Sequence, residues 1–144
     1  MSVKYVSFTL EEGARRPFKK HSGDAGWDLF VSQPCVIGAG ETVDVHTGIH
    51  IDMPSRMYAR ITGRSSTIRT HGLLVNEGII DNGYTGELFV CVHNLGDTPF
   101  VVEKGMRLAQ VIFGVIEDVR WSEVDALSTS PEKRGDAGFG STGR

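Results

Sequence analysis

The sequence predicts an all-β domain, and three observations carry that prediction. Apolar residues recur in short β-rich runs, with no long stretch that holds a helical period. Turn-forming residues fall between those runs. At 144 residues, the chain suits one domain with a single core. Many short strands at this spacing point to an antiparallel sandwich, barrel or jelly roll.

Taken in order, the runs are VKYVSFTL, QPCVIGAG, ETVDVHTGIHI, RMYARI, GELFVCVHNL, TPFVVEKG and RLAQVIFGVIEDV, all between residues 3 and 124. Alternation is clearest over residues 42 to 51, with Val43, Val45, Thr47, Ile49 and Ile51 on one face and Asp44, His46, Gly48 and His50 on the other. That pattern predicts a half-buried strand. Hairpin turns are expected at Gly38 to Gly40, Asp81-Asn82-Gly83, Gly96-Asp97 and Lys104-Gly105. SSTIRTHG predicts one short helix, with Ser65 or Ser66 as its cap.

Composition excludes several function classes. A formal net charge of -3 provides no basic field to gather the protein onto nucleic acid, so phosphate binding must come from local groups. Cys35 and Cys91 stand far apart without a CxxC or Cys/His cluster, which argues against a disulfide framework or a zinc site. The five histidines, at 21, 46, 50, 71 and 93, lack metal spacing such as HExxH and read as surface or strand residues. The start MSVKYVSFTL has no long apolar stretch, and no run approaches the roughly 18 apolar residues that span a bilayer. The expectation is a cytoplasmic or otherwise intracellular protein, nuclear in a eukaryotic or viral setting, with no membrane or nucleic-acid partner.

Composition changes near residue 125, where DALSTSPEKRGDAGFGSTGR is almost free of apolar residues. Such a segment cannot bury enough surface to order itself, so the chain divides into a β domain over 1–124 and a flexible C-terminal arm over 125–144. Phe139 stands alone there among glycines and hydroxyls, as in a flap that waits for a ligand.

Five segments carry chemistry. Gly135, Gly138 and Gly140 with Ser141 and Thr142 form a loop whose N–H groups and hydroxyls suit a polyphosphate, although no Walker lysine closes it. Gly63-Arg64-Ser65-Ser66 brings a guanidinium and two hydroxyls to a strand end. In Ala25-Gly26-Trp27-Asp28-Leu29 a carboxylate lies between apolar neighbours, where it can also serve as an ordinary backbone-bonded aspartate. Residues 78 to 87 read as a hairpin with Asp81 at its turn and Tyr84 just past it. Arg107-Leu108-Ala109-Gln110 brings an amide into a buried strand, where it needs a partner. Each segment alone also has a purely structural reading.

Together and in this order, AGWDL, GRSS, GIIDNGYTGE, RLAQ and RGDAGFGSTG resemble the five motifs of the trimeric dUTPase family, from Ala25 to Gly143. The resemblance implies a distorted β jelly roll closed into a homotrimer, with active sites at subunit boundaries that draw on all three chains. It also implies hydrolysis of dUTP to dUMP and pyrophosphate, which limits uracil incorporation into DNA and supplies dUMP for dTMP synthesis. Asp81 is then the general base for a water attacking the α-phosphorus. Mg²⁺ is carried by the phosphates, with Asp28 reaching its waters. Arg64, Ser65, Ser66 and Gln110 hold the phosphates, while Arg134, Gly140, Ser141 and Thr142 close over them. Backbone at Gly78 and Ile80 reads uracil, Tyr84 excludes ribose, and Phe139 stacks on the base. Arg107 is expected to be a structural ion-pair partner outside the site.

Two departures and two rivals accompany the resemblance. Trp27 stands where tyrosine is usual, and Asn76 lies one place from the family's asparagine, which leaves any contact of Asn76 with substrate in doubt. A dCTP deaminase shares the fold, but its working glutamate is replaced here by Cys91. A dUTP-sensing interaction module is the other alternative, against which the intact motifs and Asp81 argue.

Overall fold

A computed structural model of the chain describes residues 2–140. Ten strands and one helix follow one another as β1 Ser7–Leu10, β2 Trp27–Leu29, β3 Cys35–Ile37, β4 Thr42–Asp52, β5 Met57–Gly63, α1 Ser65–His71, β6 Leu73–Asn76, β7 Gly78–Ile80, β8 Glu87–Asn94, β9 Phe100–Val102 and β10 Ala109–Val115. Every expected run contains a strand. Strands β2, β6 and β7 lie outside the expected runs, because three or four residues hold too little alternation to show a period.

Two four-stranded sheets, ordered β1-β4-β8-β6 and β2-β10-β5-β7, lie over one core, and β3 pairs β9 in a small ribbon. All pairings are antiparallel. The core joins Ile49, Leu88 and Val90 of the first sheet to Leu29, Ala59, Ile61 and Val111 of the second, each at most 4% exposed. Burial of a Val, Leu or Ile side chain contributes about 1.5–3 kcal/mol, so these residues hold the layers together. The architecture is the distorted β jelly roll that the five motifs imply.

No strand pairs with its neighbour in sequence among the described residues; each connection changes sheet or skips a strand. This corrects the hairpin expectation. Gly40, Gly83 and Gly105 do take positive φ at their turns, but the Asp81 segment links β7 of one sheet to β8 of the other. Turn chemistry reports a local reversal, whereas pairing is decided by which distant strand buries the matching face. The helix cap is a second correction: Arg64 is the cap residue and makes no side-chain capping bond, while Ser65 and Ser66 lie inside the first turn.

Strand β4 buries Val45, Thr47, Ile49 and Ile51 as its alternation predicts. Its pairing with β8 is interrupted between His46 and His50, where Gly48 adopts φ 67° with its α-carbon against Ala14. A side chain at 48 would be strained and would strike Ala14, so glycine permits the bulge. Past Val115 no described residue joins a strand or helix, and no helix among the described residues is long and apolar enough to cross a membrane.

Candidate active site

The ends of β2, β5 and the start of β10 converge on a polar cleft of about 470 Å³. Register brings them together: Asp28 lies opposite Gln110, and Gln110 opposite Thr62. The Arg64 N–H donates to the Leu108 carbonyl at 3.3 Å, and the buried Thr67 hydroxyl donates to the same oxygen at 2.6 Å, which fixes α1 against the Arg107-Leu108 segment.

Asp28 is the hub. One carboxylate oxygen lies 3.1 Å from Arg64 Nε and the other 3.2 Å from Arg107 Nη1, with the Asp28 side chain only 19% exposed. Arg64 Nη1 also donates to the Arg107 carbonyl at 3.0 Å. A guanidinium has five N–H donors, and these contacts occupy two positions on Arg64, so donors remain for an anion in the cleft. Gln110 Nε2 donates to the Gly63 carbonyl at 3.3 Å.

Arg107 thus makes the ion pair expected of it, and it also lines the cleft. Lys19, Lys20, His21 and Asp24 line the cleft as well, and the sequence reading missed them. Their signal was the basic pair just ahead of AGWDL. What places them is a bridge in which Phe18 and Asp28 exchange backbone bonds of 3.0 and 2.6 Å. Four basic groups, Lys19, Lys20, Arg64 and Arg107, face two acidic ones, Asp24 and Asp28, so the cleft is locally positive on a chain of net charge -3.

Asp81 and Tyr84 are elsewhere. Strand β7 pairs β5 with Ile80 opposite Ala59 and Gly78 opposite Ile61, and it forms the edge of its sheet, so its outward-facing backbone groups meet no further strand. Asp81 is exposed at the end of this edge. The loop is pinned by Asn82, whose Nδ2 donates to the carbonyls of Pro54 and Met57 at 2.8 and 2.9 Å. Tyr84 donates from its hydroxyl to the Glu87 carbonyl at 2.9 Å and lies across Gly86, where any β-carbon would strike the phenol ring.

Met57 opens β5 and Gly63 closes it, so the Asp81 loop and the cleft sit at opposite ends of one strand. Six residue steps at about 3.3 Å put them on the order of 20 Å apart. One chain therefore brings together Asp28, Arg64, Ser65 and Gln110, but not Asp81, Tyr84 or the backbone of β7. Ser66 sits in α1 outside the cleft lining. Arg134, Phe139 and Gly140 lie on the segment beyond β10 and do not line the cleft, and Phe139 is fully exposed. Ser141 and Thr142 fall outside the described residues.

Asn76 on β6 lies opposite Cys91 on β8 and is exposed. Burial, with the Asp44 carboxylate beside it, pushes the Cys91 thiol up.

A family model described as dUTPase matches residues 13–143 of this chain. The deoxyuridine 5'-triphosphate nucleotidohydrolase of Clostridium tetani is 41% identical over 137 residues, covering 94% of this chain and 93% of the relative. That of Clostridioides difficile is 43% identical over 136 residues, covering 93% and 94%. Among solved structures, the dUTPase of Staphylococcus bacteriophage 80alpha with dUpNHpp matches with a TM-score of 0.87 at 25% identity, over 99% of this chain and 100% of that one. With the motif order and the jelly roll already in place, the chain belongs to the dUTPase family.

Proposed function

We propose that this chain hydrolyses dUTP to dUMP and pyrophosphate, and does so as a closed homotrimer. The observation that carries the reading is the split site. A positive cleft suited to a triphosphate lies about 20 Å from the carboxylate suited to activate water, so a substrate contacting both must lie between chains. A ring of three, each offering its cleft to a neighbour's Asp81 loop, completes every site identically.

In this arrangement Arg64, Ser65, Ser66 and Gln110 bind the phosphates, and Arg107, Lys19 and Lys20 add positive charge at the cleft wall. Asp28 positions both guanidiniums. Its remaining lone pairs suit contact with waters of an ion that arrives on the triphosphate. No three His, Cys, Asp or Glu side chains among the described residues form a ready-made metal cage, which suits an ion held chiefly by phosphate oxygens. Bound Mg²⁺ would neutralise charge that develops on the phosphates.

Asp81, on a loop fixed by Asn82, accepts the proton of a water aimed at the α-phosphorus, and pyrophosphate leaves. The open edge of β7 at Gly78 and Ile80 meets the uracil edge. Tyr84, fixed between Glu87 and Gly86, faces the sugar and leaves the 2′ position no room. The C-terminal arm, residues 125–144 beyond a β domain of 1–124, brings Arg134, Phe139, Gly140, Ser141 and Thr142 over a neighbour's site. Deoxynucleotide chemistry of this kind belongs inside a cell.

The test is pyrophosphate release from dUTP with Mg²⁺, run beside ammonia release from dCTP. Expected are pyrophosphate and dUMP from the first and nothing from the second. Intact dUTP, or deamination of dCTP, overturns the reading. Mass measurement in solution should give three chains.

A further inference from the structure

We infer that His50 is a positioning residue for the loop that carries Asp81 and Tyr84, its ring tying the Thr85 carbonyl to Glu11. The inference rests on the roles proposed above for that loop. His50 Nδ1 lies 2.9 Å from the Thr85 carbonyl, and Nε2 lies 2.8 Å from a Glu11 carboxylate oxygen. A carbonyl and a carboxylate are both acceptors, so each needs an N–H from the ring. Neutral imidazole has only one N–H, whereas imidazolium has two. The two contacts together call for the charged ring, with one N–H to each acceptor.

The loop has one fixed point on each limb. Asn82 holds the first limb to the start of β5, and His50 holds the second at Thr85. Tyr84 lies between them, so its ring is placed by both anchors. Around His50 stand Glu11 after β1, Glu87 on β8, and His46 and Asp52 on β4; Glu87 also bonds His46 at 2.9 Å and the Gly48 N–H at 3.2 Å. His46 and His50 share this face of β4 because they are four residues apart in a strand, and Glu11 reaches it because the chain after β1 stays bonded to β4, with the Glu11 N–H donating to the Gly48 carbonyl at 2.8 Å.

The Thr85 carbonyl, then Glu11, hold the His50 ring above the ordinary imidazole value, and His50 in turn lowers Glu11. The sign follows: the clamp is complete below the free imidazole value and is lost as pH rises through the raised one. A neutral ring keeps one N–H, which the carboxylate binds more strongly than the carbonyl does, so Thr85 is released first.

Amide signals of Tyr84 and Gly86 can be followed by NMR against pH beside the His50 ring signals, in the intact protein, Glu11→Gln and His50→Gln. Both amides should titrate with the His50 midpoint, move to lower pH together with it in Glu11→Gln, and lose the step in His50→Gln. In parallel, KM for dUTP should rise about two- to tenfold across that midpoint, the worth of one hydrogen bond, with kcat unchanged, and stay flat in His50→Gln. Amides that ignore the His50 midpoint, or a KM step that persists in His50→Gln, overturn the inference. A protein inert to dUTP refutes the proposed function instead, and the amide titration still decides whether His50 anchors the loop.

Discussion

Asp28 holds Arg64 and Arg107 at once, one guanidinium on each carboxylate oxygen, at 3.1 and 3.2 Å. The two arginines come from segments 43 residues apart in sequence, and their like charges meet only because a carboxylate lies between them. Asp28→Asn should leave the fold intact and lower kcat/KM for dUTP roughly 10–100-fold, the usual cost of losing a group that orients functional ligands. A steady-state assay at fixed Mg²⁺ decides it; unchanged kcat/KM would show the bridge to be ornamental.

Asp81→Asn keeps the loop's shape and removes the proton acceptor. Turnover of dUTP should fall by about 10²–10⁴-fold, the range of general-base contributions, while binding of a non-hydrolysable analogue, measured by calorimetry, stays within a few-fold. Near-normal turnover would take Asp81 out of the role.

Tyr84 is fixed by its bond to the Glu87 carbonyl and by contact with Gly86. Tyr84→Ala should reduce the preference for dUTP over UTP by about 10–100-fold through kcat/KM. Gly86→Ala, which displaces the ring without removing it, should act in the same direction. Competition assays with UTP provide the measurement, and undiminished discrimination in both variants refutes the sugar gate.

Truncation after Pro131 removes Arg134 and Phe139 but no residue of the core. The melting temperature should stay within about 2 °C, while turnover falls about 10²–10³-fold from loss of a charged donor to the phosphates. Full activity in the truncated protein would show the arm to be idle.

Leu88 is completely buried where the two sheets meet. Leu88→Ala should cost about 2–5 kcal/mol by leaving a cavity, read as an earlier urea midpoint with the slope preserved.

Much of this was legible in the residues themselves. Alternation over residues 42 to 51 named the buried face of β4 correctly, because side-chain direction in a strand has a strict period of two. Arg107, expected by the resemblance to be an ion-pair partner outside the site, is an ion-pair partner and also lines the cleft. Lys19 and Lys20 were not legible as cleft residues, since nothing local shows that Phe18 bridges to Asp28. The histidines were read as surface or strand residues, and only the pairing of β1 with β4 and the return of the 81–86 loop give His50 its two acceptors.

The sequence by itself determined seven of the ten strands, the order of the five motifs and the family, because each depends on residue type and short-range spacing. Tertiary structure alone decided that the Asp81 turn crosses between sheets, since pairing depends on which distant strand completes the core. It also decided that the cleft and Asp81 lie at opposite ends of β5. Spacing along a chain fixes how far apart two groups can be, but only the register of packed strands fixes how far apart they are.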